Sequence, residues 1–360
     1  MMLTIYTLFN DPNIVSAVIQ RVLQTRKDTI YWQQYLDFRR TTTRVFKDYI
    51  GQVTGVMAGS INSRYGEKPI RERRNIGSGY GEIAYLGDRY QISVDRLSEL
   101  QDLIDKYNAA KPADQIAAMQ DIVNFIYDDY RQVLLAPHKR MDMVLGSMLM
   151  TGEATVKNKD DNAGGVNLLE IKLPFKFITP ETEAKTKFIT YLQQKVNELK
   201  SIYGTFPKMI MSRGTFVKNI IGSEEFGDKF KMQLTGNEMY LSTGLITSQL
   251  ASSIFTGIGL PAIEIKEDYV LDQTGKNVQI YADDRITLLP QDKIGYMRFH
   301  TPYEAVDGVP GRNYTQADGE MLISGYKDGN GRYLEYTAEW IPQITNPNLI
   351  VNFDLSTMNA

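Results

Sequence analysis

The sequence contains no cysteine, so it makes no disulfide, offers no thiolate nucleophile and holds no zinc site built on sulfur. Histidine is almost as scarce. His138 and His300 are the only two, which leaves little room for imidazole catalysis or a histidine-rich metal centre. A basic excess is also missing. Forty Lys and Arg stand against 43 Asp and Glu, a net charge of −3. Proteins that grip DNA through its phosphates usually carry a positive surplus, so any contact with nucleic acid is expected to be weak and non-specific. No run of about 18 apolar residues occurs, and nothing is expected to span a membrane. Met1 to Phe9 is apolar but short, and it reaches Asp11 and Pro12 without the basic start of a signal peptide. These absences lead to the expectation of a soluble, intracellular chain. Internal repeats and low-complexity tracts are absent as well.

What is present is an ordinary globular balance. Hydrophobic residues make up 42% and charged residues 23% of 360, enough for one large or two small cores. Aromatics reach 11%, most of them the 22 tyrosines, which suit buried contacts within or between chains. Asn10 to Gln24 reads as a helix, capped by Asn10 or Asp11, with Ile14, Val15, Val18, Ile19 and Val22 on one stripe. The aromatic stretch from Ile30 to Leu36 then reads as lying outside any obvious domain body. From Arg40 to Arg74, strand formers flank a glycine-punctuated charged segment, the pattern of an extended two-stranded arm. Within it Arg64, Lys68, Arg71, Arg73 and Arg74 face only Glu67 and Glu72, a local excess of three positive charges.

A strand over Gly81–Ser93 and a helix over Asp95–Tyr107 follow. Ile116, Met119, Ile122, Val123, Ile126 and Tyr130 then recur at helical spacing, continued as far as Met148. This is a beam of about 50 Å that Pro137 must kink or divide. Later elements alternate strand and helix up to Phe255, and from Ala262 onward the pattern is β. Asp328-Gly329-Asn330-Gly331 is a strong hairpin signal, and Asp272 to Gly275 marks another turn.

Chemistry-bearing motifs are few. Gly77-Ser78-Gly79-Tyr80-Gly81 looks like a phosphate loop, but a strand follows where the fingerprint needs a helix, so a flexible joint is the better reading. Asp328 to Glu335 fails the calcium-loop spacing. Asp160-Asp161 and Asp283-Asp284 read as solvated turns, and Asp128-Asp129 as a solvated helix face. No hydrolase, zinc-protease or P-loop motif occurs, so no catalytic, cofactor-binding or metal-binding residue is assigned and no enzyme is expected.

Three pieces carry a resemblance to a known family. Glu82 to Glu99 is similar to a strand that returns from an extended loop toward a spine helix. Leu149-Met150-Thr151-Gly152-Glu153-Ala154 is similar to the end of that helix. Glu335 to Asp354, with Pro342 and Asn346-Pro347-Asn348, resembles a closing segment. Together with the order of elements, they resemble the major capsid proteins of tailed double-stranded DNA phages, of the Hong Kong ninety-seven type fold, and in particular the lambda-like major capsid protein E family. The resemblance implies an α+β chain with an N-terminal arm at 1–37 and an extended loop at 38–80. It implies a peripheral domain with the spine helix at 81–180 and 298–345, and an axial domain at 181–297 and 346–360. It implies self-assembly as hexamers and pentamers into an icosahedral shell formed in the host bacterial cytoplasm. The implied partners are separate scaffolding, portal and decoration proteins, with packaged DNA touched non-specifically. On that reading, Arg64, Lys68, Arg71, Arg73 and Arg74 pair with acidic residues of an adjacent subunit, with DNA contact as the competing role. Tyr31, Trp32 and Tyr35 would anchor the arm on a neighbour, with the chain's own core as the alternative. An encapsulin-like compartment and a cytoplasmic α+β enzyme are the other functions considered.

Overall fold

The computed structural model describes residues 2–25, 29–50, 77–156, 169–223, 225–226, 247–272, 275–329 and 331–359. The longest strand, β16 (Gly331–Ile344), organises the first sheet. It runs antiparallel to β4 (Ala84–Ile92), β13 (Gly295–His300) and β15 (Leu322–Asp328). Strand β1 (Leu36–Arg40) adds in parallel to β13, and β14 (Tyr314–Gln316) closes the far edge on β15. Burial alternates along the first half of β16 and is nearly continuous along the second. The strand therefore passes from a sheet with one wet face to one covered on both. The β15–β16 turn is tight, with Asp328 opposite Gly331 and Gly329 at φ +56°, as the Asp-Gly-Asn-Gly signal requires.

Across this sheet lies α4, 37 residues from Gln115 to Thr151 and about 55 Å long at 1.5 Å per residue. Its first turns bury one stripe, Ile122, Ile126 and Tyr130; beyond Val133 it is buried on nearly every side. The helix is a single element through Pro137, so of the two outcomes expected there, a kink or a division, it is not divided. Proline withholds one backbone donor, and close packing of this buried half keeps the turn helical. Gly152, at φ +70°, stops it by donating its N–H to the Met148 carbonyl at 2.9 Å. Helices α1 (Ile5–Asn10), α2 (Pro12–Thr25) and α3 (Val94–Ala109) pack around α4 and the first sheet. The predicted stripe Val15, Val18, Ile19 and Val22 is buried there, so the described part of the expected arm is docked on its own chain.

A second sheet has the order β7-β17-β12-β8-β9, from β7 (Lys176–Ile178), β17 (Val351–Asp354), β12 (Arg285–Leu289), β8 (Lys208–Ser212) and β9 (Ala262–Lys266). Its period-two alternation splits the molecule into two cores. Met209, Met211, Ile286, Leu288, Val351 and Phe353 face α5 (Phe188–Tyr203) and α6 (Ser248–Gly257). Ile210 and Leu289, one residue out of step, belong to the α4 core. Thr287, on that second face, lies 3.0 Å from the Leu149 carbonyl and 2.5 Å from the Asn352 side chain, joining the end of α4 to the sheet. Strand β7 belongs to the second sheet, and β13 opens at Gly295 in the first.

Gly146 of α4 has no room for a side chain, because a Cβ there would clash with the carbonyl oxygen of Ile280 in the bend that crosses it. Gly146→Ala should lower the free energy of unfolding by about 1–3 kcal/mol. An unchanged denaturation midpoint would contradict that close approach.

Candidate assembly surfaces

The aromatic stretch after α2 forms a short helical turn at Trp32–Gln34. Tyr31, Trp32 and Tyr35 are 0%, 1% and 1% exposed. Trp32 stacks on His138 of α4, centroids 5.7 Å apart and planes 10° apart. It also meets Phe38 edge-on at 4.8 Å and Trp340 of β16 at 6.4 Å. Its backbone N–H donates to Asp142 Oδ1 at 2.8 Å, and Lys139 Nζ sits 3.5 Å from the other carboxylate oxygen. Burial dominates there and pushes the Asp142 carboxyl up to about 6.

Tyr31 and Tyr35, in the same core, reach the edge strand β9 of the second sheet. The Lys266 ammonium of β9 lies 4.9 Å and 5.0 Å from their ring centroids. Lys266 pairs with Glu264 at 2.6 Å and with the side-chain oxygen of Gln34, while the Tyr35 hydroxyl donates to Glu264 at 3.0 Å. Burial raises both tyrosine hydroxyls, and nearby phenol and carboxylate groups add to it. Burial alone would raise Glu264 as well, but the Lys266 hydrogen bond and charge hold its carboxyl below the usual range. Tyr31, Trp32 and Tyr35 are buried within their own chain, the alternative weighed beside an anchor on a neighbouring subunit. They tie the N-terminal segment to the α4 core and to the edge strand β9 of the second sheet.

Arg64, Lys68, Arg71, Arg73 and Arg74 lie outside the described residues. The base of their segment is described. Strands β2 (Val45–Ile50) and β3 (Gly77–Glu82) pair antiparallel, from Val45 opposite Glu82 to Ile50 opposite Gly77. The glycine-rich stretch expected as a flexible joint is therefore a paired strand, and no helix follows it to bind a phosphate. Arg44 fixes this ribbon to the first sheet through two bonds to Glu339 of β16, at 2.6 Å and 3.0 Å. Glu339 is buried and also receives His300 Nδ1 at 3.0 Å. Beside the ribbon base, Tyr85, Tyr303 and Val306 are exposed, with the Tyr85 hydroxyl on Glu304 at 2.8 Å.

A second exposed apolar feature escaped the sequence reading. The hairpin of β10 (Tyr269–Leu271) and β11 (Asn277–Gln279) presents Tyr269, Leu271 and Val278 to solvent. The signal was there in the i, i+2 placing of Tyr269 and Leu271 beside the predicted turn. Asp129 on α4 pairs with Arg96 of α3 at 2.9 Å, so it braces two helices where a solvated face was expected. Asp283 likewise accepts from the Ser212 hydroxyl at 2.5 Å. Among the described residues, no group of three or more His, Asp or Glu is placed to hold a metal ion. No described helix is long and apolar enough to cross a membrane.

No protein-family model matches the sequence, and no curated protein does. Solved structures do match in shape. A protein assigned as the capsid protein of an Escherichia coli prophage superposes with a TM-score of 0.58 at 12% identity, covering 96% of this chain and 98% of its own. A phage-related protein from Bordetella bronchiseptica superposes with a TM-score of 0.51 at 8% identity, covering 95% and 96%. At such identities the likeness concerns the fold. The chain has an α+β, phage-capsid-like fold over nearly its whole length.

Two outcomes follow from the aromatic junction. Trp32→Ala should lower unfolding stability by about 3–5 kcal/mol in a denaturant titration, as for a fully buried aromatic. A loss below about 1 kcal/mol would contradict its core role. Asp142 has a folded-state pKa of about 6, above the ~3.9 of an unfolded aspartate. Its contribution to stability is thus full below about pH 4 and is lost as the pH rises through about 6. Compared with Asp142→Asn, the wild type should lose roughly 3 kcal/mol across that window. A pH-independent difference between the two would contradict the burial of this carboxyl.

Proposed function

We propose that this chain is the structural subunit of an icosahedral shell that encloses a double-stranded DNA phage genome. The observation that carries the reading is the whole-chain superposition on the prophage capsid protein, in which nearly every residue of both chains takes part. In this reading α4 is the spine helix, the first sheet and α4 form the peripheral domain, and the second sheet with α5 and α6 forms the axial domain. The β2–β3 ribbon begins an extended loop that carries Arg64, Lys68, Arg71, Arg73 and Arg74 onto the acidic surface of the next subunit.

The proportions suit that role. A ribbon laid over a neighbour lengthens the contact without enlarging either core, and obligate interfaces commonly bury several thousand Å2. Backbone pairing at strand edges adds to it. The subunit would associate as hexamers and pentamers, with separate scaffolding, portal and decoration proteins. It would meet packaged DNA only non-specifically, as the net charge of −3 favours. Its place would be the virion capsid, after assembly in the bacterial cytoplasm.

Reversing Arg71, Arg73 and Arg74 to Glu tests the reading. By negative-stain electron microscopy the wild type should give closed particles, and the triple variant should stay soluble but form none. Normal shells from the variant would contradict the charge-pairing role of the segment. Intact empty shells that fail only to package DNA would assign those residues to the genome instead.

A further inference from the structure

Helix α1, the loop around residues 309–312 and the tip of the β15–β16 hairpin enclose a half-open cavity of about 370 Å3. Its charged lining is Arg312, Lys327 and Arg332 against the single acid Asp328. Arg312 is already engaged, with its guanidinium 3.4 Å from the Tyr326 ring centroid and 3.5 Å from Glu335. Arg332 is not so provided for. Its residue is 6% exposed, its guanidinium lies over the Phe9 ring at 5.0 Å, and its Nη1 is buried without a hydrogen-bond partner. No ion pair to Arg332 forms among the described residues.

That arrangement is costly as it stands. A guanidinium keeps its proton, so burial leaves a charge without an anion. Burial accordingly lowers its affinity for that proton. The cost is compounded by register, because Lys327 stands directly opposite Arg332 on the paired strand and sets two cations across one rung. A planar fork of donors matches a carboxylate with two parallel bonds. The rim is that of a protein contact: Tyr6 and Val309 are both exposed apolar groups at the cavity mouth. The chain itself carries more acids than bases, so another copy brings carboxylates in surplus.

The geometry points to this cavity as the receptor for an acidic side chain of a second copy of this chain, whose carboxylate closes on Arg332 with Lys327 at the mouth. The inference rests on the self-assembling role proposed above and adds a contact of opposite sense. The extended segment offers cations to a neighbour, whereas this cavity receives an anion from one.

The experiment compares full-length wild type, Arg332→Met and Lys327→Glu by sedimentation velocity over a concentration series at low salt. The wild type should associate, and each variant should need about tenfold more protein or beyond to do so. Unassembled Arg332→Met should melt at or above the wild-type temperature, because an unpaired buried charge has been removed. Lys327 is exposed, so Lys327→Glu decides the matter alone if Arg332→Met does not fold. Association of the folded variants at the wild-type concentration overturns the inference and leaves the shell reading standing. The same holds if sodium acetate or phosphate raises the wild-type melting temperature while the variants still associate normally, since the cavity then takes a free anion. A wild type that does not associate at any concentration contradicts the shell reading and removes the partner on which this inference depends.

Discussion

The structure depends on a single buried junction, where the segment from Tyr31 to Phe38 is clamped between α4, β16 and β9. Trp32 fills the space between His138 and Trp340, so the first strand of the first sheet cannot leave without emptying that core. Three residues on, Tyr35 and Tyr31 wrap the Lys266 ammonium, and Glu264 completes the pair. A charged pair in an apolar setting stabilises only when each group has a close partner, and these do. One short turn therefore fixes the N-terminal helices, the long helix and the second sheet relative to each other.

Around the junction, the division of labour follows from periodicity. The long helix passes from one apolar stripe to burial on nearly all sides at about Val133, and its end reaches the second sheet, where Thr287 donates to the Leu149 carbonyl. The second sheet serves the two cores through opposite faces of the same strands, so β12 contributes Leu289 to one core and Ile286 and Leu288 to the other. The result is two packed bodies joined by continuous elements. The β10–β11 hairpin buries Val270 in the α4 core and leaves Tyr269, Leu271 and Val278 exposed.

Much of this was legible in the sequence where a local signal decides the outcome. The helical spacing from Ile116 to Met148 predicts α4, the Asp328–Gly331 turn predicts its hairpin, and the alternation over Gly81–Ser93 predicts β4. The capsid-like α+β architecture came instead from the family resemblance carried by Glu82 to Glu99, Leu149 to Ala154 and Glu335 to Asp354. What stayed open shares one physical origin, the lack of a local signal for a distant partner. Aromatic residues at 31, 32 and 35 bury equally well in their own core or in a neighbour's, and no spacing rule separates the two. The apolar stripe of α2 was visible, but its partner lay more than a hundred residues away. The Gly77–Gly81 stretch has poor strand propensity and pairs because β2 offers it a ladder of backbone bonds. The unpaired Arg332 was invisible, since only the fold reveals that no carboxylate comes to meet it.

The most direct measurement is a cryo-electron-microscopy reconstruction of particles assembled from the purified full-length chain, at a resolution that traces side chains. The account predicts closed icosahedral particles in which residues 51–76 lie on an adjacent subunit while Tyr31, Trp32 and Tyr35 remain inside their own. Small defined oligomers in place of closed particles would contradict it. So would a shell in which the Tyr31–Tyr35 turn is exchanged into a neighbour.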